Sequence, residues 1–407
     1  MTRALVRCHE WRTTESVPLT VDERDALSTL VPSLRISPSR RSSDHYDLTP
    51  GSTVGTIQVG EVTIEIEPKI GPAKVIALAS MAFNPSSWRE PSTALSTNDG
   101  LTEAMCRALT ELTRRALRSG LLQGYRTTLE VLPTVRGRVR FADQVQQRRG
   151  MPLPVAVTYD DYTHDTLEHQ LLLAAARRLS QMPLRSAKAR EDLMWLRHQL
   201  DGVSDILVPP VHVPEPVWTR LNERYRPAVT LARLILAGTS LESGLGGHRA
   251  LAFLVDMNQV FEDFIRVGLR ERLRLTPRTF PDGNHVPRLF LDQSARWVPL
   301  KPDLSWWNAQ RSTCVFVGDC KYKRPDSSIP NADVYQLHAY LTALQLPAGL
   351  LIYPRTERSP NSFQVAHGGP HILVRHVDIA APLEQIHVAM DELAGQVRAM
   401  ALQPVAV

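Results

Sequence analysis

Residues 300–324 read LKPDLSWWNAQRSTCVFVGDCKYKR, and the spacing of charged and apolar side chains in this stretch decides the fold that we predict. The apolar run at 315–317 predicts a short buried strand. Asp303 precedes this run and Asp319 follows it, with fifteen residues between the two aspartates. If Asp303 ends the neighbouring strand, the two carboxylates and the ammonium group of Lys321 meet at one edge of a sheet.

Two carboxylates and one lysine in this pattern are typical of a metal-dependent phosphodiesterase. Carboxylate oxygens are hard ligands that suit Mg²⁺, which prefers few protein ligands together with water and phosphate oxygens. Lys321 follows Asp319 by two residues, so alternation along a strand places both side chains on one side. From there the lysine could hold an attacking water or the charge that develops on a phosphate. The alternative for these residues alone is a hairpin with solvated charges.

A helix is predicted downstream at residues 331–346, where apolar side chains recur at helical spacing. Asp333, Gln336 and Tyr340 fall on an adjacent stripe, either as part of a site or as the rim of the helix. Two more buried strands are predicted after this helix, at residues 349–354 and 371–379. Strand, strand, helix and strand in this order indicate a mixed α/β core.

A second helix is predicted upstream at residues 255–274, and Glu262 falls within its apolar face. A carboxylate in that position is costly unless it is paired, hydrogen-bonded or bound to a metal. The sequence leaves two interpretations open. Glu262 forms an ion pair with a nearby arginine, or it is a third acidic group at the metal site.

Several segments along the chain form a set that is more specific than any single motif. They are Phe261-Glu262, Pro302-Asp303, Asp319-Cys320-Lys321-Tyr322-Lys323, Tyr335-Gln336…Tyr340, Val54-Gly55-Thr56-Ile57, residues 64–71 (IEIEPKIG), Arg136-Gly137-Arg138 and residues 159–165 (YDDYTHD). This set resembles the McrC family, the endonuclease subunits of McrBC-type restriction systems that act on modified cytosine. Residues 166–169 (TLEH) depart from the pattern, which has an Asn-rich stretch there.

The resemblance implies an endodeoxyribonuclease of the PD-(D/E)xK type. The implied ligands for one or two Mg²⁺ ions are Asp303, Asp319, the backbone carbonyl of Cys320 and Glu262. The implied catalytic residues are Asp303, Asp319 and Lys321, with support from Gln336 and Tyr340. Lys321 would orient or activate a water for in-line attack on a phosphodiester.

The resemblance also implies a partner, an AAA+ GTPase of the McrB type that forms a hexameric ring, translocates double-stranded DNA and reads the modified cytosine. We expect the N-terminal part, up to about residue 210 and including a β-rich domain at 1–95, to dock on the ring and stimulate its GTP hydrolysis. The chain contains no GxxxxGK[ST] loop, so we expect it to bind no nucleotide itself. A dimer of nuclease domains would suit double-strand cleavage, because one such site cuts one strand at a time.

Two other classes of function stay open. One is a stand-alone nuclease that acts without a motor. The other is a non-cleaving adaptor that only activates an AAA+ ring, although the intact Asp303, Asp319 and Lys321 argue against it.

Composition limits the class of protein. The chain has 407 residues, of which 43% are hydrophobic and 22% charged, as in globular proteins with more than one domain. Its sequence contains no run of eighteen apolar residues and no signal-peptide core at the start, so we expect no membrane span and a cytoplasmic location. The net charge of +5 and a pI near 9.1 are compatible with a nucleic-acid partner. The four cysteines include no CxxC pair, which argues against zinc ribbons and redox dithiols.

We therefore predict a multidomain protein of the α+β or α/β class. A β-rich N-terminal domain is expected at 1–95 and a helical, mixed middle region with a Pro-rich linker at 96–215. A restriction-endonuclease-like α/β core of the PD-(D/E)xK type is expected at 216–407. An exposed loop rich in Ser, Pro and Asn is predicted at 83–100.

Residues 134–141, TVRGRVRF, predict a strand with Arg136, Arg138 and Arg140 on one face. Three guanidinium groups in a row repel one another unless they meet acid or phosphate. The strand is either an exposed edge that is protected by its charge or a contact to DNA backbone or an acidic partner surface.

Overall fold

The computed structural model describes residues 4–42, 44–83, 100–148, 153–210, 212–238, 243–245, 248–292, 294–323, 329–354 and 362–402. The loop predicted at 83–100 lies almost entirely outside these residues. The chain forms two compact units, which we call unit 1 and unit 2. Unit 1 comprises Met1–Ala104 and Thr239–Val407, and unit 2 comprises Met105–Gly238.

The strands are β1 (Ala4–His9), β2 (Thr14–Pro18), β3 (Arg35–Pro38), β4 (His45–Thr49), β5 (Thr53–Val59), β6 (Val62–Glu67), β7 (Gly124–Leu132), β8 (Arg138–Val139), β9 (Val155–Thr163), β10 (Ser243–Leu245), β11 (His248–Asp256), β12 (Leu289–Phe290), β13 (Pro299–Leu300), β14 (Leu304–Trp307), β15 (Cys314–Cys320), β16 (Ala348–Pro354), β17 (Ser362–Gln364) and β18 (His371–Val377). The α-helices are α1 (Val21–Leu30), α2 (Pro72–Phe83), α3 (Leu101–Leu117), α4 (Phe141–Arg148), α5 (Leu167–Ser180), α6 (Ala187–Gln199), α7 (Arg226–Ala237), α8 (Met257–Arg272), α9 (Asn331–Leu344) and α10 (Leu383–Ala401).

One mixed sheet of unit 1, which we call the Asp319 sheet, has the strand order β14-β15-β16-β18-β17. Its central strands β15, β16 and β18 run parallel, while β14 and β17 are antiparallel to their neighbours. Phe316 and Val317 point to opposite faces of β15 and are both buried, as expected for a parallel strand covered on both sides. The strands predicted at 349–354 and 371–379, and the mixed α/β arrangement, are confirmed.

Helix α9 covers one face of the Asp319 sheet. Its Leu337 and Leu341 share a buried core with Val317, Leu351 and Tyr353. The predicted helix at 331–346 is therefore confirmed, and so is the apolar stripe that buries it. Helices α8 and α10 also pack on this sheet.

A second sheet of unit 1 has the order β1-β6-β5-β11-β10. It pairs strands from the N-terminal segment with β10 and β11, which lie at residues 243–256. Strand β11 pairs antiparallel with β5, the strand that carries Val54-Gly55-Thr56-Ile57. Gly55 has φ +132° and lies against Phe253, where a Cβ atom would overlap the Phe253 carbonyl oxygen. The position therefore requires glycine, both for its backbone angle and for the close approach of the two strands.

The compact units differ from the predicted domain ranges 1–95, 96–215 and 216–407. Strand pairing of β11 with β5, together with packing of α2 on α8, places the N-terminal residues and residues 239–407 in one unit. Residues 216–238 belong instead to unit 2, because α7 packs on α5. The β11–β5 pairing and the α2–α8 packing join residues about 200 positions apart, which local composition does not indicate.

Unit 2 contains helices α5, α6 and α7 and an antiparallel sheet of order β7-β9-β8. The strand predicted at 134–141 is wrong in extent, since only Arg138–Val139 pair with β9 and Phe141 begins α4. Gly137 has φ +71° and turns the chain there, which breaks the alternation that the sequence suggested.

No helix among the described residues is long and apolar enough to cross a membrane.

Candidate active site

The β14–β15 hairpin brings Asp303 and Asp319 together. Leu304, which follows Asp303, pairs with Gly318, which precedes Asp319. The Asp303 carboxylate oxygen Oδ2 accepts a hydrogen bond of 2.9 Å from the backbone N–H of Cys320. The pairing register and this hydrogen bond together place the two aspartates at the same end of the hairpin.

Asp319 is a fully buried carboxylate with few polar partners. Its side chain is 0% exposed, and its Oδ2 lies 2.8 Å from the Lys321 ammonium nitrogen Nζ. Apart from Lys321, no group of the described residues donates a hydrogen bond to either carboxylate oxygen. Burial, followed by the nearby charge of Asp303, raises the pKa of Asp319 well above its ordinary value. A second positive charge at these oxygens would relieve both costs.

Lys321 lies just beyond the last residue of β15. Its backbone N–H donates a hydrogen bond of 2.9 Å to Ile352, so the parallel pairing with β16 continues up to this residue. Burial lowers the pKa of Lys321, but the carboxylates of Asp319, Asp303 and Asp333 outweigh burial and hold the pKa above its ordinary value. The nearby carboxylates therefore favour the charged ammonium form of Lys321.

Glu262 on α8 is the third acidic group near the hairpin. Burial, then the charges of Asp303 and Asp263, raise the pKa of Glu262 to about 8. Arg266, which could have paired with Glu262, forms ion pairs with Asp263 and Asp282 instead. Glu262 therefore lies close enough to Asp303 for the two charges to interact, while Arg266 forms its ion pairs with Asp263 and Asp282.

The donor set is small. Among the described residues, His, Cys, Asp and Glu side chains form no group of three or more that could hold a metal ion. Burial raises the pKa of the Cys320 thiol well above its ordinary value, so this residue could offer its backbone carbonyl but not a thiolate. Asp303, Asp319 and that carbonyl are compatible with Mg²⁺, which keeps several water ligands. The observation that favours such a cation is the buried Asp319 carboxylate, which lies beside the charge of Asp303 and has no donor other than Lys321 among the described residues.

Gln336 and Tyr340 form a hydrogen-bonded chain on α9. Gln336 donates from Nε2 to the Tyr340 hydroxyl at 2.8 Å, and that hydroxyl donates to the Lys301 carbonyl at 3.1 Å. Burial, followed by the charge of Asp319, raises the pKa of Tyr340 to about 12. Tyr340 therefore connects α9 to the segment that leads into Asp303.

A second lysine–carboxylate pair lies beside the first. Lys323 Nζ contacts Asp333 Oδ1 at 2.7 Å, and the Tyr353 hydroxyl donates to Asp333 Oδ2 at 2.8 Å. Helical periodicity placed Asp333 on a polar stripe with Gln336 and Tyr340, but it did not reveal that Asp333 is buried or paired with Lys323. Burial of Asp333 depends on Tyr353, which lies at the end of another strand.

Glu10, at the end of β1, is a further buried carboxylate near the hairpin that sequence reasoning missed. It accepts hydrogen bonds from the Tyr322 hydroxyl at 3.2 Å and from the backbone N–H of Lys69 at 3.1 Å. The Lys69 ammonium lies over the rings of Trp11 and Tyr322. The Pro68-Lys69 pair of the N-terminal segment was the available signal, and its contact with Tyr322 ties that segment to the strand carrying Lys321.

The three arginines singled out in the sequence lie in unit 2. Arg136 forms an ion pair of 2.8 Å with Asp161 and stacks on the ring of Tyr159 at 3.9 Å. Arg140 forms an ion pair with Asp143, and Arg138 is exposed on β8. Acidic side chains of the same unit therefore compensate two of the three charges, and the three do not share one strand.

Comparisons with known proteins place the chain in a family. The family model described as McrBC 5-methylcytosine restriction system component matches residues 48–354. The chain belongs to this family. The resemblance to McrC that the motifs indicated is thus confirmed, and the matched residues include β5, β6 and the strands β14, β15 and β16 of the Asp319 sheet.

Two further similarities agree with membership of the McrBC family. The chain is 22% identical over 259 residues to the type IV methyl-directed restriction enzyme EcoKMcrBC of Escherichia coli strain K12, covering 59% of this chain and 73% of that protein. It also resembles a chain in the refined half-complex from the tetradecameric assembly of Thermococcus gammatolerans McrB AAA+ hexamers with bound McrC. That likeness has a TM-score of 0.55 at 18% identity and covers 97% of this chain and 100% of the other, so the fold is shared along the chain.

Proposed function

We propose that this chain is the DNA-cleaving subunit of a McrBC-type restriction complex, with a metal-dependent nuclease centre of the PD-(D/E)xK type at Asp303, Asp319 and Lys321. The observation that carries the proposal is the buried Asp319 carboxylate, which meets Lys321 at 2.8 Å, has no further donor among the described residues and lies beside the charge of Asp303. Two carboxylates that share one lysine are expensive to bury unless a cation binds them as well.

Asp303, Asp319 and the Cys320 carbonyl would hold Mg²⁺, and Glu262 would join them or hold one of the bound waters. When bound, Mg²⁺ would supply positive charge for the phosphate in the transition state and lower the pKa of a water molecule. The raised pKa values of Glu262 and Asp319 fit this role, because like charges close together are tolerated only when a cation or a proton compensates them.

Lys321 would act on the water and on the phosphate. Its ammonium group is held by Asp319, so its position is set before DNA binds. A charged lysine donates hydrogen bonds and cannot remove a proton. We therefore assign Lys321 to orienting the attacking water and stabilising charge that develops on the phosphate.

Gln336 and Tyr340 would keep Asp303 in place. Tyr340 donates to the carbonyl of Lys301, two residues before Asp303, and Gln336 donates to Tyr340. Groups that hold a metal ligand in its orientation affect affinity and rate although they do not touch the metal.

The partner that we propose is an AAA+ GTPase ring of the McrB type. Support comes from the family match and from the fold shared with a chain of an assembly of McrB AAA+ hexamers with bound McrC. A fragment comprising residues 1–210 would lack β11, which pairs with β5, so docking should be tested with the full chain. Under this proposal the ring translocates DNA and recognises modified cytosine, and this chain stimulates GTP hydrolysis.

Plasmid cleavage in MgCl₂ tests the proposed function. The chain is assayed alone, with its AAA+ partner and GTP, and with partner and GTP after Asp319→Ala substitution. We expect cleavage only with the partner, GTP and Asp319, and we expect the Asp319→Ala chain to stimulate GTP hydrolysis as the wild type does. Cleavage by the chain alone would indicate a stand-alone nuclease. Stimulated GTP hydrolysis without cleavage by the wild type would indicate an adaptor.

A further inference from the structure

The Lys323–Asp333–Tyr353 cluster has no part in the proposed metal centre. Asp333 uses both carboxylate oxygens, one for Lys323 at 2.7 Å and the other for the Tyr353 hydroxyl at 2.8 Å. Its side chain is 4% exposed, and Tyr353 is fully buried in the core under α9. Because Lys323 and Tyr353 each occupy one carboxylate oxygen of Asp333, we look for a role of Asp333 other than metal binding.

The cluster is nevertheless next to the nuclease centre. Lys323 follows Lys321 by two residues in the chain. Lys321 pairs with Asp319 of its own strand, whereas Lys323 pairs with Asp333 of α9. Two ammonium groups are thus held in succession, each by its own buried aspartate.

Lys323 differs from Lys321 in its exposure. The Lys323 side chain is 37% exposed, against 21% for Lys321. An ammonium group has three donors, and the Asp333 carboxylate takes one of them at Oδ1. Because the side chain is partly exposed, the donors that the described residues leave unused can reach a ligand from solvent. Burying a carboxylate to hold one lysine adds little net stability, which favours a positioning role for the pair.

We propose that Lys323 binds a DNA phosphate next to the one being cleaved, and that Asp333 and Tyr353 are positioning residues that hold the Lys323 ammonium group for this contact. The proposal rests on the proposed nuclease function and extends it to the way the substrate backbone is placed. Lys321 then acts on the reacting phosphate, while Lys323 fixes the position of the DNA strand relative to the nuclease centre. A phosphate contact gives no sequence specificity, which suits a subunit whose partner recognises the base.

The test measures binding of a duplex DNA to the full chain by fluorescence anisotropy, in CaCl₂ and over a range of NaCl concentrations. We expect Lys323→Met to make the dependence of log K on log salt less steep by about one, as for the loss of one phosphate contact. With partner, GTP and MgCl₂, we expect KM for DNA to rise about tenfold while kcat stays within about threefold. Lys323→Arg should restore both quantities to near the wild-type values.

Lys188→Met is the matched control. Lys188 also pairs with a buried aspartate, Asp192, at 2.9 Å, and is itself exposed. We expect its substitution to leave the salt dependence and KM unchanged. Tyr353→Phe should raise KM without changing kcat, because Asp333 then loses the partner that orients it. If Lys323→Met proves unstable, Lys323→Gln replaces it.

An unchanged salt dependence in a folded Lys323→Met or Lys323→Gln chain would overturn the proposal and leave the pair a structural one. The same holds if the wild-type chain binds no DNA at any salt concentration. If Lys323→Met reduces the salt dependence but the wild-type chain never cleaves DNA, the phosphate contact is supported and the proposed nuclease function is rejected.

Discussion

Asp319 on β15 and Asp333 on α9 differ in how their carboxylates are satisfied. Asp319 has Lys321 as its donor and no further donor among the described residues, while Asp333 meets Lys323 and also accepts from Tyr353. Both are almost fully buried. The difference separates a carboxylate that is prepared for a ligand from one that serves to hold a lysine. Burial alone would not have distinguished the two.

The largest expected effect is on catalysis. Replacing Lys321 by Met should lower kcat for plasmid cleavage by about 10²- to 10⁴-fold, because the group that orients water and stabilises the phosphate charge is gone. Cleavage is measured with partner, GTP and MgCl₂ at saturating DNA. Lys323→Met is the control, and its kcat should stay within about threefold of wild type. Equal loss of kcat in both variants would remove the distinction between the two lysines.

Stability should change by different amounts at the two aspartates. Asp333→Ala leaves Lys323 and the buried Tyr353 hydroxyl without their partner, so unfolding free energy should fall by about 3–5 kcal/mol. Asp319→Asn removes the repulsion with Asp303 but also weakens the ion pair with Lys321, so the two effects oppose each other and the unfolding free energy should change by less than about 2 kcal/mol. Urea unfolding in EDTA measures both. A larger loss for Asp319→Asn than for Asp333→Ala would contradict the comparison.

The acidic centre also predicts a dependence of stability on pH. Because the pKa of Glu262 is raised to about 8, the folded chain holds this proton more tightly than the unfolded chain does. Wild-type stability in EDTA should therefore fall as pH rises from about 4.5 to about 8, relative to Glu262→Gln, by about 1–3 kcal/mol after allowance for solvent screening.

Urea unfolding of wild type and Glu262→Gln at pH 5 and pH 8 measures this difference. The two proteins should be close in stability at pH 5, where both side chains are neutral, and Glu262→Gln should be the more stable at pH 8. Parallel pH profiles would show that Glu262 lies outside the acidic centre.

The smallest effect is expected at Gln336. Its side chain is exposed and, within the described part of the chain, donates to Tyr340 alone, which keeps its bond to Lys301 when Gln336 is replaced. Gln336→Ala should lower kcat by less than about tenfold and change stability by no more than about 0.5 kcal/mol. Cleavage and urea unfolding measure the two values. A loss of kcat as large as that of Lys321→Met would give Gln336 a direct role.

The geometry of the hairpin was predictable because it depends on local pattern. The apolar run between Asp303 and Asp319 forms β15, and alternation along the chain places Lys321 with Asp319, as expected from the residues alone. The helix and strands after it follow from helical spacing and from continuous apolar runs. Each of these signals extends over fewer than about twenty residues.

The features that escaped prediction depend on distant contacts. The buried Asp333 accepts a hydrogen bond from Tyr353, and the buried Glu10 accepts one from Tyr322, 312 residues away. Strand β11 pairs with β5, about 200 residues earlier, and no change in local composition predicts this pairing. Helix α2 was missed because its buried residues, Val75 to Ala79 and Met81, cover most of its circumference and leave no amphipathic stripe.

The measurement that tests the account most directly compares Asp319→Asn with Asp333→Asn in plasmid cleavage over a series of MgCl₂ concentrations, with partner and GTP present. Both variants keep the size of the side chain and remove one buried negative charge. We predict no cleavage by Asp319→Asn at any Mg²⁺ concentration, and a kcat near wild type with a raised KM for Asp333→Asn. Cleavage at the wild-type rate by a folded Asp319→Asn chain would contradict the assignment of Asp319 to the nuclease centre.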